Sequence, residues 1–173
     1  RDEIGKLISG KIVETEAYLG INDEACHAYG GKRTPRTKVL FEGPGLVYIY
    51  FVYGIHWQLN LTCSKPKAGC VLIRAVEPAV VIDFANIKKA YSNNPKQGPS
   101  LLMTERMKLA KVASGPGKVA RFLKMDGSFY GEELTESKRI WVEDRGVEIK
   151  KCDIVSAKRV GIEITTQEAE AGL

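Results

Sequence analysis

The sequence predicts one α+β domain, residues 1–173, built on a central antiparallel or mixed, barrel-like β-sheet with flanking helices. Strand patterns fill the first half of the chain, whereas helical spacing of apolar residues dominates the second half before two late strand patterns. The 173 residues suit one domain and contain no internal repeat or linker. We therefore expect a single layered domain whose main strands precede its helices.

Four strands are predicted in the first half of the chain, because short alternating or β-branched and aromatic runs end at glycine or turn-forming residues. These strands cover residues 11–18, 46–53, 57–63 and 70–76. Between the first two strands, residues 20–38 predict a loop because they are rich in glycine, polar and basic residues.

Apolar residues at helical spacing predict the helices of the second half. The predicted helices cover residues 80–91, 101–113 and 116–123. Ser114 is the expected cap of the third helix, and Pro116 lies in its first turn. Two late strands are predicted at residues 139–142 and 154–164.

The chain carries 26 basic and 21 acidic residues, a formal net charge of +5. This charge is compatible with a polyanionic partner, although many proteins of similar charge bind no nucleic acid. The longest apolar runs are too short to span a bilayer, and no basic-then-apolar leader precedes Ile4. We therefore expect a protein that is neither secreted nor in a membrane, located in a bacterial cytoplasm or nucleoid or in a eukaryotic nucleus.

The four cysteines and two histidines offer no spacing of metal ligands, and no two cysteines form a C-x-x-C pair. Small buried thiols in a reducing compartment are the favoured interpretation. We predict neither a metal nor a cofactor.

Two glutamates and a tyrosine share one face of the first predicted strand. Glu14, Glu16 and Tyr18 alternate with small or apolar residues, although glutamate is disfavoured in strands. On this segment alone, a solvated strand face is the favoured interpretation. The functional alternative is a carboxylate beside an aromatic platform, as hydrolysis at a stacked base requires.

Arg74 stands alone in an otherwise apolar strand. Burial of an unpaired guanidinium is very costly, so a carboxylate, a phosphate or an exposed edge must compensate its charge. A structural ion pair with Glu14, Glu16 or Glu77 is one interpretation. The other is a polar site that Arg74 shares with Glu16.

Three tyrosines fall close together in the second predicted strand. Tyr48 and Tyr50 share a face, and Tyr53 lies at the strand end before Gly54. Packing in a β core and stacking against bases are equally compatible with Tyr48 and Tyr50. A side chain at the strand tip is also suited to enter a duplex as a wedge.

Basic residues cluster with turn-forming residues in the predicted loop and at the start of the third predicted helix. Solvated charge and contact with backbone phosphates are both compatible with this pattern, because nearby glycines let backbone amides approach an anion. The candidate phosphate contacts are Lys32, Arg33, Arg36 and Lys118.

Several segments, in this order and spacing, resemble the alkyladenine (3-methyladenine) DNA glycosylase family. Residues 12–20 read Ile-Val-Glu-Thr-Glu-Ala-Tyr-Leu-Gly, and residues 71–78 read Val-Leu-Ile-Arg-Ala-Val-Glu-Pro. The further matching segments are residues 23–27, 34–36, 43–54 and 59–60, with fainter matches at 114–118 and 159–161. Thr37 departs from the asparagine usual in the family. The family also has a helical segment before the first strand and an arginine-bearing strand after the position of Leu173, so the resemblance implies truncation at both ends or loss of a β element.

The resemblance implies a monofunctional DNA glycosylase of base excision repair. Glu16 would be the general base that activates the water attacking C1′ of a flipped nucleotide, and Arg74 and the carbonyl of Val160 would help to hold that water. The product would be an intact abasic site, because no lysine is suitably placed for a Schiff base.

The resemblance also assigns the residues of a base pocket. Tyr18 and His27 on one side and Tyr50 on the other would sandwich the extruded base. Asn60 at the pocket floor would clash with the 2-amino group of normal guanine, and Tyr53 would fill the gap left in the stack.

The expected partner is damaged double-stranded DNA, bound by a monomer. Expected lesions are 3-methyladenine, 7-methylguanine, hypoxanthine and ethenoadenine. The alternatives are a non-catalytic DNA-binding module of the same fold, an RNA-binding relative and a hydrolase of free nucleosides.

Overall fold

The computed structural model describes residues 7–79 and 111–162. The predicted helix at residues 80–91, and all but the end of that at 101–113, lie outside these described residues. The chain divides into two compact units, Arg1–Trp141 and Val142–Leu173. In the described part of the chain, no helix is long and apolar enough to cross a membrane.

The first unit contains a four-stranded antiparallel sheet. Its strands are β1 (Gly10–Tyr18), β2 (Val47–Val52), β3 (His56–Thr62) and β4 (Cys70–Pro78), in the order β1-β4-β3-β2. The four predicted strands are confirmed, and the sheet is antiparallel rather than mixed. Among the described residues β1 and β2 are the edges and do not pair with each other, so closure into a barrel is not confirmed.

One face of this sheet is apolar and carries the main core. Val47, Ile49, Leu59 and Ile73 are buried there, because alternate residues of a strand point to the same side. The helix α1 (Pro116–Phe122) covers this face. The core is completed by Val76, Ala113, Val119, Met125 and Phe129.

The opposite face is polar and aromatic. A cross-strand row runs over all four strands, since Tyr48 pairs with Asn60, Asn60 with Leu72, and Leu72 with Glu16. Residues directly opposite each other in antiparallel strands have their side chains on the same side. This register therefore places a carboxylate, an amide and a phenol on one face.

The loop between β1 and β2 packs against this polar face. Its two 3₁₀ helices are Tyr29–Gly31 and Lys38–Phe41. The buried carboxylate of Asp23 accepts hydrogen bonds from the backbone N–H groups of Leu19 and Ala25, which fixes the start of the loop. The residues that bury its inner side are Cys26, Ala28, Val39, Leu40, Tyr48, Ala68 and Cys70.

The helix α1 confirms the prediction for residues 116–123, but its cap differs from the expected one. Gly115, with φ 110°, occupies the cap position without a side-chain hydrogen bond, and Ser114 instead bridges to Ala75 of β4. A Cβ atom on Gly117 would lie 2.8 Å from His56 Cγ, so α1 approaches β3 as closely as only glycine allows.

The prediction of two late strands was wrong for the residues that the structure describes. Arg139 lies over the Phe129 ring at 4.1 Å and donates to Glu132, so its segment is fixed by side chains. In the second unit, residues 154–162 form no strand, and Ile154 and Val155 are 61% and 86% exposed. Apolar β-branched composition favours a strand only where a partner strand covers it.

Candidate active site

A guanidinium bridges two carboxylates across β1 and β4. The Arg74 Nε atom lies 2.7 Å from Glu14 Oε1, and its Nη1 atom lies 3.1 Å from Glu16 Oε1. The Glu16 side chain is 6% exposed and that of Arg74 14%, whereas that of Glu14 is 48% exposed. The ion pair expected for Arg74 is therefore present, with both Glu14 and Glu16, whereas a functional role for Arg74 stays a prediction.

Tyr18 completes this cluster. Its hydroxyl donates to Glu16 Oε2 at 3.1 Å, so both carboxylate oxygens of Glu16 have a donor. Charge-assisted hydrogen bonds of this kind fix the orientation of a carboxylate. A buried, oriented carboxylate can accept a proton from water and can stabilise positive charge that develops beside it.

Three rings lie together on the same face at β2. His27 Nδ1 lies 2.7 Å from the Tyr48 hydroxyl, and the His27 ring contacts the Tyr50 ring edge to face, with centroids 4.7 Å apart. The Tyr48 and Tyr50 rings lie 5.3 Å apart. The two rings are in contact here, and the placement of His27 and Tyr50 on opposite sides of a base stays a prediction.

Burial sets the ionisation of these rings. Burial, with a smaller contribution from the charges of Arg36 and Lys32, lowers the pKa of His27 from 6.5 to about 4, so His27 is neutral near pH 7. Burial likewise raises the pKa of Tyr50 to about 12 and raises that of Tyr48 above its ordinary range. The rings therefore present neutral surfaces.

Asn60 lies beneath these rings and is 2% exposed. Its Oδ1 accepts from the Cys70 thiol at 3.8 Å, but its Nδ2 makes no hydrogen bond of good geometry to the described residues. A buried donor without an acceptor is destabilising by about 1–3 kcal/mol. The amide is therefore a donor that a ligand atom could satisfy.

Gln58 is a site residue that the sequence analysis missed. The Tyr50 hydroxyl donates to its Oε1 at 2.7 Å, and the guanidinium of Arg36 lies over the Tyr50 ring at 5.6 Å. The sequence could have indicated it, because alternate residues of a strand share a face and Gln58 is two residues from Asn60.

Tyr53 lies at the tip of the β2–β3 hairpin. Its side chain is 86% exposed, and its backbone has φ 53°, followed by φ 67° at Gly54. The Ile55 N–H donates to the Val52 carbonyl and closes this tight turn. Positive φ at a tyrosine is uncommon and costs about 1–3 kcal/mol, and such strain concentrates at functional sites.

The basic candidates are all exposed. Lys32 and Arg33 lie on the loop beside the rings, with Arg33 over the Phe41 ring at 5.5 Å. Lys118 lies in α1, whose Gly117 lies close to His56, beside the turn of the β2–β3 hairpin. These basic side chains are therefore open to an anionic partner.

Val160 belongs to the second unit, where it lies in a turn and is 62% exposed. The role of its carbonyl stays a prediction. No group of three or more His, Cys, Asp or Glu residues in the described ranges could hold a metal ion.

The fold and the site together define a class of protein that presents a buried carboxylate on the same sheet face as a group of aromatic rings. The family model for methylpurine-DNA glycosylases matches residues 1–170. The chain therefore belongs to the methylpurine-DNA glycosylase family, whose members are hydrolases of N-glycosyl bonds.

Relatives agree with this assignment. A protein of Desulfitobacterium hafniense (strain Y51), named "Putative 3-methyladenine DNA glycosylase", is 41% identical over 163 residues, covering 92% of this chain and 74% of the relative. A Clostridium perfringens (strain 13) protein of the same name is 42% identical over 166 residues, covering 92% and 75%. The human DNA-3-methyladenine glycosylase is 35% identical over 158 residues, which span 91% of this chain and 51% of the human protein.

Proposed function

We propose that this chain is a monofunctional DNA glycosylase that flips alkylated or deaminated purines out of duplex DNA and hydrolyses their N-glycosidic bond. The observation that carries the proposal is the cluster of Glu16, Arg74 and Tyr18 on the same sheet face as the ring group of His27 and Tyr50. That arrangement offers a surface for a purine and a base for water within one site.

The proposed reaction uses water as the nucleophile. Glu16 accepts a proton from the water as its oxygen bonds to C1′, and the C1′–N bond breaks with its electron pair moving to the base. The carboxylate also stabilises the positive charge that develops on the sugar. Arg74 orients Glu16, and the carbonyl of Val160 would be a second acceptor for the water. A cationic 3-methyladenine or 7-methylguanine leaves as a neutral base, whereas hypoxanthine or ethenoadenine must gain a proton as it leaves.

The base in the proposed complex lies with Tyr18 and His27 on one side and Tyr50 on the other. The edge-to-face contact between His27 and Tyr50 opens to admit it. Stacking on aromatic side chains is worth about 1–3 kcal/mol per base. Extrusion costs less for a weakly paired lesion, so selection begins before the chemical step.

Asn60 supplies the proposed selection against normal guanine. Its Nδ2 donor, which has no acceptor of good geometry within residues 7–79 and 111–162, suits an acceptor on the edge of a purine. The 2-amino group of guanine is also a donor, so the two groups repel one another and crowd the pocket floor. Specificity then arises from rejection as well as attraction.

Duplex DNA is the proposed partner, bound by a monomer without a metal or cofactor. Tyr53 would enter the stack left by the extruded base, and its exposed position at the hairpin tip supports this role. Lys32, Arg33, Arg36 and Lys118 would contact backbone phosphates.

Single-turnover base release tests the proposal. The substrates are duplexes that contain one hypoxanthine, 7-methylguanine or ethenoadenine, and the enzymes are the parent chain, Glu16→Gln and the control Glu136→Gln. Glu136 is an exposed carboxylate outside the site. We expect release by the parent and the control, and none by Glu16→Gln although it still binds the duplex. Equal release by all three would remove Glu16 as the base, whereas tight lesion binding without release by any would favour a non-catalytic module.

A further inference from the structure

Arg74 makes its shorter contact with Glu14 rather than with the buried Glu16. The Nε atom lies 2.7 Å from Glu14 Oε1, compared with 3.1 Å from Nη1 to Glu16 Oε1. Two different edges of the guanidinium are thus occupied. A planar guanidinium that is held through two edges is fixed in both position and plane.

The backbone brings Glu14 to this position. Thr15 pairs with Ile73 and Glu16 with Leu72, so regular continuation would place Glu14 opposite Arg74. The ladder is irregular there, and Glu14 instead pairs with Ala75. The irregularity leaves the Glu14 carboxylate beside the guanidinium while its side chain remains 48% exposed.

The charges of the cluster give Glu14 a role beyond geometry. Two carboxylates share one guanidinium, so these three side chains carry a net charge of about −1. In a partly buried site, electrostatic interactions are stronger than in water. Without Glu14, the whole positive charge of Arg74 would act on Glu16 and on any cationic sugar formed beside it.

We infer that Glu14 is a positioning residue for the proposed glycosylase reaction, acting through Arg74 to orient Glu16 and to offset the positive charge of Arg74. The inference rests on the proposed function. Glu14 sets the rate of bond cleavage, and it contributes little to binding of lesion DNA because the proposed base surface is formed by other side chains.

A double-mutant cycle tests the inference. Single-turnover release of hypoxanthine is measured at saturating enzyme for the parent, Glu14→Gln, Arg74→Gln and the double variant, with the Kd for lesion DNA measured in parallel. We expect Glu14→Gln to lower the rate about 10-fold in the parent, within the range of couplings between contacting residues, and less than about 2-fold in the Arg74→Gln background. The Kd should change less than about 2-fold in Glu14→Gln.

Two further variants separate positioning from folding. Glu14→Asp keeps the charge and should recover part of the lost rate, while Glu136→Gln, which changes an exposed carboxylate outside the site, should match the parent. An unchanged rate in Glu14→Gln, or an equal loss with and without Arg74, would overturn the inference. So would a rate loss that tracks a lowered Tm across the Glu14 variants. If Glu16→Gln still releases base, or the parent releases none, the proposed function itself fails.

Discussion

Glu16 and Asn60 both lie directly opposite Leu72, one on each strand that flanks β4. Their side chains therefore share a sheet face at a spacing of two strands, about 10 Å. This spacing separates a buried carboxylate from an amide donor that has no acceptor of good geometry among the described residues by roughly the extent of a purine nucleoside. In the proposed complex, the carboxylate faces the sugar and the amide faces the far edge of the base.

Substitution of Asn60 by Ser should relax selection against guanine. The smaller side chain removes the buried Nδ2 donor that opposes the 2-amino group. We expect release of undamaged guanine from a mispair to rise about 10-fold relative to release of hypoxanthine, equivalent to about 1.4 kcal/mol of discrimination. Single-turnover assays on duplexes that differ only in this base measure the ratio. An unchanged ratio in a folded variant would contradict the proposed role.

Substitution of Tyr53 should slow base release from duplex DNA without lowering the stability of the fold. The side chain is 86% exposed and its backbone has φ 53°, so Tyr53→Gly removes little packing and relieves strain. We expect an unchanged or higher Tm together with slower base release from duplex DNA. Ile55→Ala is the matched control, because it removes another exposed apolar side chain from the same turn. Equal effects of both variants on release would argue against a specific wedge.

The stability of the fold should fall as the pH is lowered from 6.5 to about 4. Burial depresses the pKa of His27 from 6.5 to about 4, so the unfolded chain binds a proton in this range that the folded chain does not. The contribution of neutral His27 is fully present above pH 6.5 and is lost as the pH falls towards 4. Thermal melts of the parent and His27→Gln between pH 7.5 and 4 measure the difference.

The slope of Tm against pH should be smaller for His27→Gln than for the parent. Identical slopes for the parent and His27→Gln would show that other groups produce the acid sensitivity.

Gln58 should stabilise the fold by accepting the hydrogen bond of the Tyr50 hydroxyl. Gln58→Leu leaves the half-buried Tyr50 hydroxyl without its 2.7 Å acceptor. We expect the free energy of unfolding in urea to fall by about 1 kcal/mol. Gln58→Glu keeps an acceptor at this position and should lower the free energy of unfolding by less than the leucine variant does. A leucine variant as stable as the parent would indicate that Tyr50 finds another partner.

The affinity for duplex DNA should depend steeply on salt. Each phosphate that is neutralised contributes about 0.9 to the slope of log K against log salt. Arg33→Gln should therefore reduce the slope by about 1, whereas Lys65→Gln should not. Lys65 is exposed in the β3–β4 connection, at the end of β3 opposite the Tyr53 hairpin. A flat salt response of the parent would count against the proposed phosphate contacts.

The local pattern of the chain predicted the sheet well. Period-two alternation and glycine stops located all four strands of the first unit, because both signals act over a few neighbouring residues. The late strands at residues 139–142 and 154–164 were wrong in their described parts. Their apolar, β-branched composition satisfies strand propensity, but a strand also requires a partner that composition does not specify.

The sequence named the candidate site residues but not the contacts between them. Glu14, Glu16 and Arg74 stood out because charged residues are unusual in strands, and the resemblance to a known family added His27 and Asn60. The sequence left open whether Arg74 would pair with Glu14, Glu16 or Glu77, and no pattern indicated that His27 would contact Tyr50. These contacts depend on how distant segments meet.

The sequence by itself determined the family, the strands and the kinds of side chain on each strand face, since these follow from residue type and spacing along the chain. Only the tertiary structure decided which of those side chains touch. The β1–β4 and β3–β4 registers place Glu16 and Asn60 on either side of Leu72, and the packing of the β1–β2 loop places His27 against Tyr50. Register and loop packing are set by long-range contacts that sum over the whole core, so no local segment encodes them.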